Sequence, residues 1–138
     1  MQISGIAFFV PGQPVAKGRP RAFKMKNGNI GAYSPGKTVE YEDAVRLQAR
    51  KVMPEQIYDC PLRVHIQFYM TRPASKPKKA VRPTTKPDID NLAKAITDAM
   101  NGLIYADDSR ICEMVLAKYY EPDSRKVGVR VQVMELEG

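Results

Sequence analysis

The sequence is poor in cysteine, with Cys60 and Cys112 its only two. Two are too few for a disulfide framework, and they have no partners at a zinc-ligand spacing. Reduced thiols in a cytoplasmic protein are the simplest reading. Histidine is scarcer still, with His65 alone. It falls on the polar side of a regular alternation and reads as a structural or surface residue. No apolar run approaches the ~20 residues that a membrane helix needs, so no membrane partner is expected. The opening MQISGIAFFVPG has no positive charge ahead of its apolar stretch and no small-residue cleavage site, so a secretory signal is not expected. Acid is missing from two long stretches: residues 1–39 and residues 71–87 contain no Asp or Glu.

What fills those stretches is positive charge. The first holds Lys17, Arg19, Arg21, Lys24, Lys26 and Lys37. The second holds Arg72, Lys76, Lys78, Lys79, Arg82 and Lys86. The whole chain carries 22 Lys and Arg against 15 Asp and Glu, a net charge of +7. Outside the two stretches acids outnumber bases. Charge segregated in this way points to a polyanion, and nucleic acid leads because phosphate neutralisation by Lys and Arg dominates its binding. Loops kept polar for solubility are the plain alternative. At 138 residues, 43% of them hydrophobic, the chain fits one domain over residues 1–138 with its own core.

Hydrophobic periodicity places the elements. Residues 3–10 (ISGIAFFV) read as a strand, ended by Pro11, Gly12 and Pro14. The glycine- and proline-rich loop at about 11–37 has a hairpin signal at Asn27-Gly28. Tyr41, Ala44, Val45, Ala49 and Val52 predict a helix over about 38–53, with Thr38 as N-cap and Pro54 as the stop. Leu62, Val64, Ile66, Phe68 and Met70 alternate with Arg63, His65, Gln67, Tyr69 and Thr71, a half-buried strand. Residues 72–87, with prolines at 73, 77, 83 and 87, are read as an extended basic arm, mobile without its ligand.

A second helix begins near Asp88. Ile89, Leu92, Ala93, Ile96, Ala99, Met100 and Leu103 form its apolar face, and Asn101-Gly102 ends it. Residues 111–120 (ICEMVLAKYY) are apolar enough to lie inside a sheet, with Cys112 in the core. Val127, Val129, Val131 and Val133 mark the last strand, joined to the one before by a hairpin turn at Pro122-Asp123-Ser124. The expected order is β-α-β-α-β-β. It implies a single small α+β domain, one mixed sheet with two helices packed on it.

The chemistry gathers after the basic arm, in KPDIDNL with Lys94 and then Asp107-Asp108. Asp88 and Asp90 have an ordinary explanation, since acids at a helix start cap orphan N–H groups and complement the dipole. Two acids around Ile89, directly after a basic arm, also fit another role. Carboxylates beside a phosphate-binding surface repel nucleic acid unless a cation stands between, and oxygen-only ligands suit Mg²⁺. A helix over 88–101 is roughly 20 Å long at 1.5 Å per residue. Extended chain over 102–108 covers about the same length, which can return Asp107 and Asp108 to the level of Asp88. The alternative for that pair is a simple turn into a strand. Lys94 lies four residues after Asp90 and four before Asp98. It is either a surface salt-bridge partner or a cation beside a metal-bound phosphate.

KPDIDNLAKAITDAMNGLIYADDSRI, residues 86–111, resembles the signature of the RusA-type Holliday-junction resolvases. In that family D-x-D-N-L opens a helix, a lysine follows on the same face, and D-D precedes a strand. The resemblance is specific over about 86–120, and PVAKGRPR at 14–21 supports it. It implies a homodimeric, Mg²⁺-dependent endonuclease, with Mn²⁺ as a substitute, that cuts opposed strands of four-way junction DNA. Its essential acids correspond to Asp88, Asp90 and Asp108 as metal ligands, with Lys94 the catalytic lysine and Asp107 in support. Family members commonly carry a basic residue just before the first Asp. Here Pro87 holds that place and Lys86 precedes it. The candidate DNA contacts are Lys17, Arg19, Arg21, Arg72, Lys76, Lys78, Lys79, Arg82 and Lys86. The readings left open are a basic nucleic-acid-binding protein without catalysis and a nuclease acting on flaps or forks.

Overall fold

The computed structural model describes residues 4–18, 21–33 and 36–137, with the backbone alone for residues 21, 32 and 33. The strongest alternation in the sequence becomes the centre of the sheet. β4 (Leu62–Thr71) buries Leu62, Val64, Ile66, Phe68 and Met70 and leaves the residues between them half-buried. It is flanked on one side by β6 (Gly128–Glu135) and on the other by β5 (Ile111–Glu121). β1 (Gly5–Pro11) closes the far edge beyond β6. The order is β1-β6-β4-β5, antiparallel except for the parallel β4–β5 pair, so the sheet is mixed as expected.

Two helices cover one face. α1 (Gly36–Arg50) contributes Tyr41, Val45 and Ala49, and α2 (Ile89–Met100) contributes Leu92, Ala95, Ile96, Ala99 and Met100. The helices pack on each other as well as on the sheet. Val129, Val131 and Val133 complete the core from β6. The other face of the sheet carries His65, Gln67 and Tyr69, with Gln132, Arg130 and Ala117 beside them in register. Among the described residues, no helix is long and apolar enough to cross a membrane.

Several local expectations are refined. The Asn27-Gly28 signal does form a hairpin, between β2 (Arg21–Lys24) and β3 (Ile30–Tyr33). Gly28 takes φ +87°, and Asn27 Oδ1 accepts the Asn29 amide at 3.0 Å. Thr38 is not an N-cap. The helix starts before it, and its buried hydroxyl accepts the Gly18 amide at 2.9 Å, which docks the N-terminal loop on α1.

β5 is an edge strand, not an interior one. Cys112, Glu113, Met114 and Val115 are exposed along it. The reason is the crossover: the chain leaves β4, runs through α2 and returns parallel to β4 on its outer side. Both β5 and β6 pair with β4, so Pro122-Asp123-Ser124 makes no hairpin. It leads into a 3-10 turn (Ser124–Lys126) that carries the chain past the end of β4. Residues 72–87 contain neither helix nor strand, as the prolines require. They are not extended either. Lys76 and Ala80 amides close turns on Pro73 and Pro77 carbonyls at 3.0 Å each, and the Tyr120 amide holds the Val81 carbonyl at 2.8 Å. The arm is laid against the open edge of β5.

Candidate active site

Asp88 occupies the N-cap position of α2 with extended backbone (φ −69°, ψ 146°), but its side chain makes no capping bond. Its Oδ2 faces Lys86 Nζ at 2.9 Å. Asp90, in the first turn, is exposed, and among the described residues no cation or donor pairs with its carboxylate. The ordinary explanation for these acids, satisfaction of helix N–H groups by their side chains, is therefore not realised at Asp88. Both carboxylates border a groove of about 760 Å³ between α2, the arm segment Arg82–Lys86 and Leu116–Lys118 of β5.

The return from the end of α2 is tighter than an extended run. Gly102 takes φ +73°, and the Gly102 amide bonds the Tyr105 carbonyl at 2.8 Å. Tyr105 is fully buried, and its hydroxyl donates to the Thr97 carbonyl at 2.6 Å. The Ala106 amide then donates to the Tyr58 carbonyl at 3.0 Å. This brings Asp108 opposite the middle of α2, where its Oδ2 stands 3.8 Å from Lys94 Nζ. Asp107 does different work. It caps the 3-10 turn Asp108–Arg110 by accepting the Ser109 amide at 3.0 Å, and these bonds with Ser109 hold its carboxyl below the usual range.

Lys94 bonds Asp98 Oδ1 at 2.9 Å. That bond, with the charges of Asp98, Asp108 and Asp107 behind it, outweighs the opposing effect of burial and raises the Lys94 pKa above its ordinary value. Asp98 also receives Lys17 at 3.3 Å, and Lys17 bonds Glu42 at 2.5 Å. Burial pulls the Lys17 ammonium down, but Glu42 and Asp98 outweigh it and its pKa is raised. Lys17 therefore spends its charge within the protein, unlike the free cation anticipated at that position. Arg19 lies outside the described residues, and Arg21 is described only by its backbone in β2.

In the arm, Lys78, Lys79, Arg82 and Lys86 are exposed, and Arg72 and Lys76 are half-buried. Among the described residues only Lys86 of these six pairs with a carboxylate. Arg82 lies 4.3 Å from the centre of the Tyr119 ring, which stacks on Tyr69 at 5.4 Å. Lys118 donates to the carbonyls of Thr85 (3.2 Å) and Pro87 (3.0 Å), fixing the arm where it meets α2. Sequence reasoning missed Lys118 and passed over Asp98 as a surface partner. The first sits in an apolar strand with no local signal. The second was visible only as an i+4 spacing.

Among the described residues no three Asp, Glu, His or Cys side chains stand together as a ready metal cage. The donor chemistry still fits a hard cation. Asp88 and Asp90 are exposed and Asp108 is half-buried, and their oxygens are the kind Mg²⁺ takes one or two at a time, with water and substrate phosphate completing its shell.

Fold and site together define the class: a small α+β protein with a carboxylate-bearing helix start beside a basic arm. The chain belongs to the RusA endodeoxyribonuclease family, whose model matches residues 11–134. It is also similar to a protein of Bacillus subtilis (strain 168) described as "Uncharacterized protein YqaN". That protein is 38% identical over 141 residues, covering 95% of this chain and 96% of the other.

Proposed function

We propose that the chain is a Mg²⁺-dependent, structure-specific endodeoxyribonuclease that resolves four-way DNA junctions in recombination and repair. The observation that carries this reading is the state of the acids opening α2 in a chain of this family. The Asp88 side chain makes no capping bond, and Asp90 pairs with nothing among the described residues. The Asp90 oxygens remain open to a ligand, and Asp88 is held only by Lys86, a solvent-exposed partner that a bound cation would displace.

Mg²⁺, or Mn²⁺ in its place, held by Asp88, Asp90 and Asp108 would polarise the scissile phosphate and activate a water. Lys94, fixed beside Asp108, adds positive charge where the phosphate becomes more negative. Arg72, Lys76, Lys78, Lys79, Arg82 and Lys86 grip backbone phosphates without reading sequence, with Arg19 and Arg21 assigned the same role from the N-terminal loop. Two copies related by a two-fold axis present two equivalent sites, which accounts for paired symmetric cuts. The setting is the cytoplasm, where the DNA is.

The test is cleavage of a synthetic four-way junction, a flap, a fork and a linear duplex of matching sequence, with Mg²⁺ or with EDTA. Paired cuts in the junction alone, only with metal, support the reading. Preference for the flap or fork moves the substrate. Junction binding without cutting, unchanged by EDTA, overturns the nuclease assignment.

A further inference from the structure

We infer that Asp98 is a positioning residue that holds Lys94 away from Asp90, and that Lys17 and Glu42 anchor it from behind. The inference rests on the nuclease reading of the same site. Lys94 has two carboxylates within its reach along α2, Asp90 one turn before it and Asp98 one turn after. On an isolated helix the acid-before-lysine order is the better one. An acid near the C-terminal end also opposes the helix dipole. Helix physics alone therefore favours Lys94 pairing with Asp90. The structure has the reverse: Lys94 bonds Asp98 at 2.9 Å and Asp90 is left unpaired among the described residues.

The tertiary structure explains the reversal. The Asp98 side chain is 18% exposed against 54% for Lys94, so the carboxylate lies against the protein and cannot drift with the lysine. It is held there by Lys17 at 3.3 Å, whose own ammonium is bonded to Glu42 of α1, a buried residue. The loop that carries Lys17 is tied to α2 by the Lys17 amide, which donates to the Asn91 carbonyl at 2.9 Å. Glu42, Lys17, Asp98, Lys94 and Asp108 thus alternate in charge from α1 to the turn after α2. A free lysine side chain loses rotamer freedom when fixed in one place, and Asp98 supplies the bond that fixes it. The consequence is a double one. Lys94 is directed to Asp108, and the Asp90 oxygens stay open to a cation.

The experiment uses the full chain and Mn²⁺ as the probe, titrated by electron paramagnetic resonance without DNA. Asp98→Asn should weaken Mn²⁺ binding about 2- to 5-fold, because the released Lys94 then competes for Asp90 as an exposed ion pair does. Adding Lys94→Met to Asp98→Asn should restore the affinity. Asp98→Glu should keep it close to wild type. Cleavage of the junction should fall about 10- to 100-fold in Asp98→Asn with binding in EDTA unchanged, the scale expected when a catalytic group is misplaced. It should fall no further in the double variant than in Lys94→Met alone. Wild-type Mn²⁺ affinity in Asp98→Asn overturns the inference. So does a loss that Lys94→Met does not reverse, which would mark Asp98 as merely structural. A wild-type protein that cuts no DNA would overturn the nuclease reading, while the Mn²⁺ arm still decides this one.

Discussion

Two buried tyrosines should respond in opposite ways to loss of the hydroxyl. The Thr97 carbonyl lies near the end of α2, where the Asn101 amide turns instead to the Asp98 carbonyl at 3.2 Å. The Tyr105 hydroxyl takes the vacant place at 2.6 Å. Tyr105→Phe leaves that carbonyl buried without this donor, at a cost of about 1–3 kcal/mol. For a chain of this length 1 kcal/mol shifts Tm by about 3–5 °C, so the fall should be roughly 3–15 °C. Tyr41 on α1 is the control. Its hydroxyl is buried with no partner among the described residues, so Tyr41→Phe removes an unsatisfied group. Its Tm should hold or rise by a few degrees.

The pH dependence adds a second check. Burial raises both phenol pKa values, and Asp108, Asp98 and Asp107 raise that of Tyr105 further. A raised folded-state pKa means stability that is intact below the ordinary value of 10.0 and is lost as pH rises beyond it. The Tm penalty of Tyr105→Phe should therefore shrink above about pH 10, because the variant no longer has that phenol to ionise. The assay is thermal unfolding by circular dichroism from pH 7 to 11. Equal losses in the two variants at pH 7 would refute the reasoning.

Asp90→Asn should lower junction cleavage by more than about 100-fold while binding is retained or tightened, because a charge that repels phosphate has gone. Gel-shift and cleavage measured together check it. Gly128→Ala would place a Cβ 2.4 Å from the Val10 carbonyl oxygen, a backbone atom that cannot swing aside. A loss of about 2–4 kcal/mol in a urea melt is expected, with β1 loosened from β6. Lys118→Met removes the bonds to Thr85 and Pro87, so limited proteolysis should cut residues 82–87 faster than in the wild type. Neutralising Lys78 and Lys79 together should reduce the log–log salt slope of junction binding by about 2.

Much of the fold was legible because it depends on near neighbours. The alternation from Leu62 to Thr71 gave a strand whose bounds the structure reproduces. The apolar steps from Ile89 to Met100, with Asn101-Gly102 behind them, gave α2. The prolines of residues 72–87 excluded helix and central strand. Asn27-Gly28 marked the hairpin. The candidate site was legible in part for the same reason. Asp88, Asp90 and Lys94 are spaced along one helix, and spacing survives folding. The errors share a different origin. Cys112 and its neighbours looked interior because apolar content does not say whether a strand has one neighbour or two. Pro122-Asp123-Ser124 looked like a hairpin because turn residues do not say which strand waits on the other side.

The sequence by itself determined the elements, the segregation of basic charge into two stretches, and the helix that opens on two acids. These are set by side-chain period, backbone restrictions and composition, which neighbouring residues decide among themselves. Only the tertiary structure decided that β4 stands between β5 and β6, that Lys118 ties the arm to the start of α2, and that Lys17 turns inward to Glu42 and Asp98. It also decided that Lys94 pairs with Asp98 and faces Asp108. Each of these joins elements by crossovers or loops, where several arrangements satisfy the local rules equally and packing of the shared core selects one.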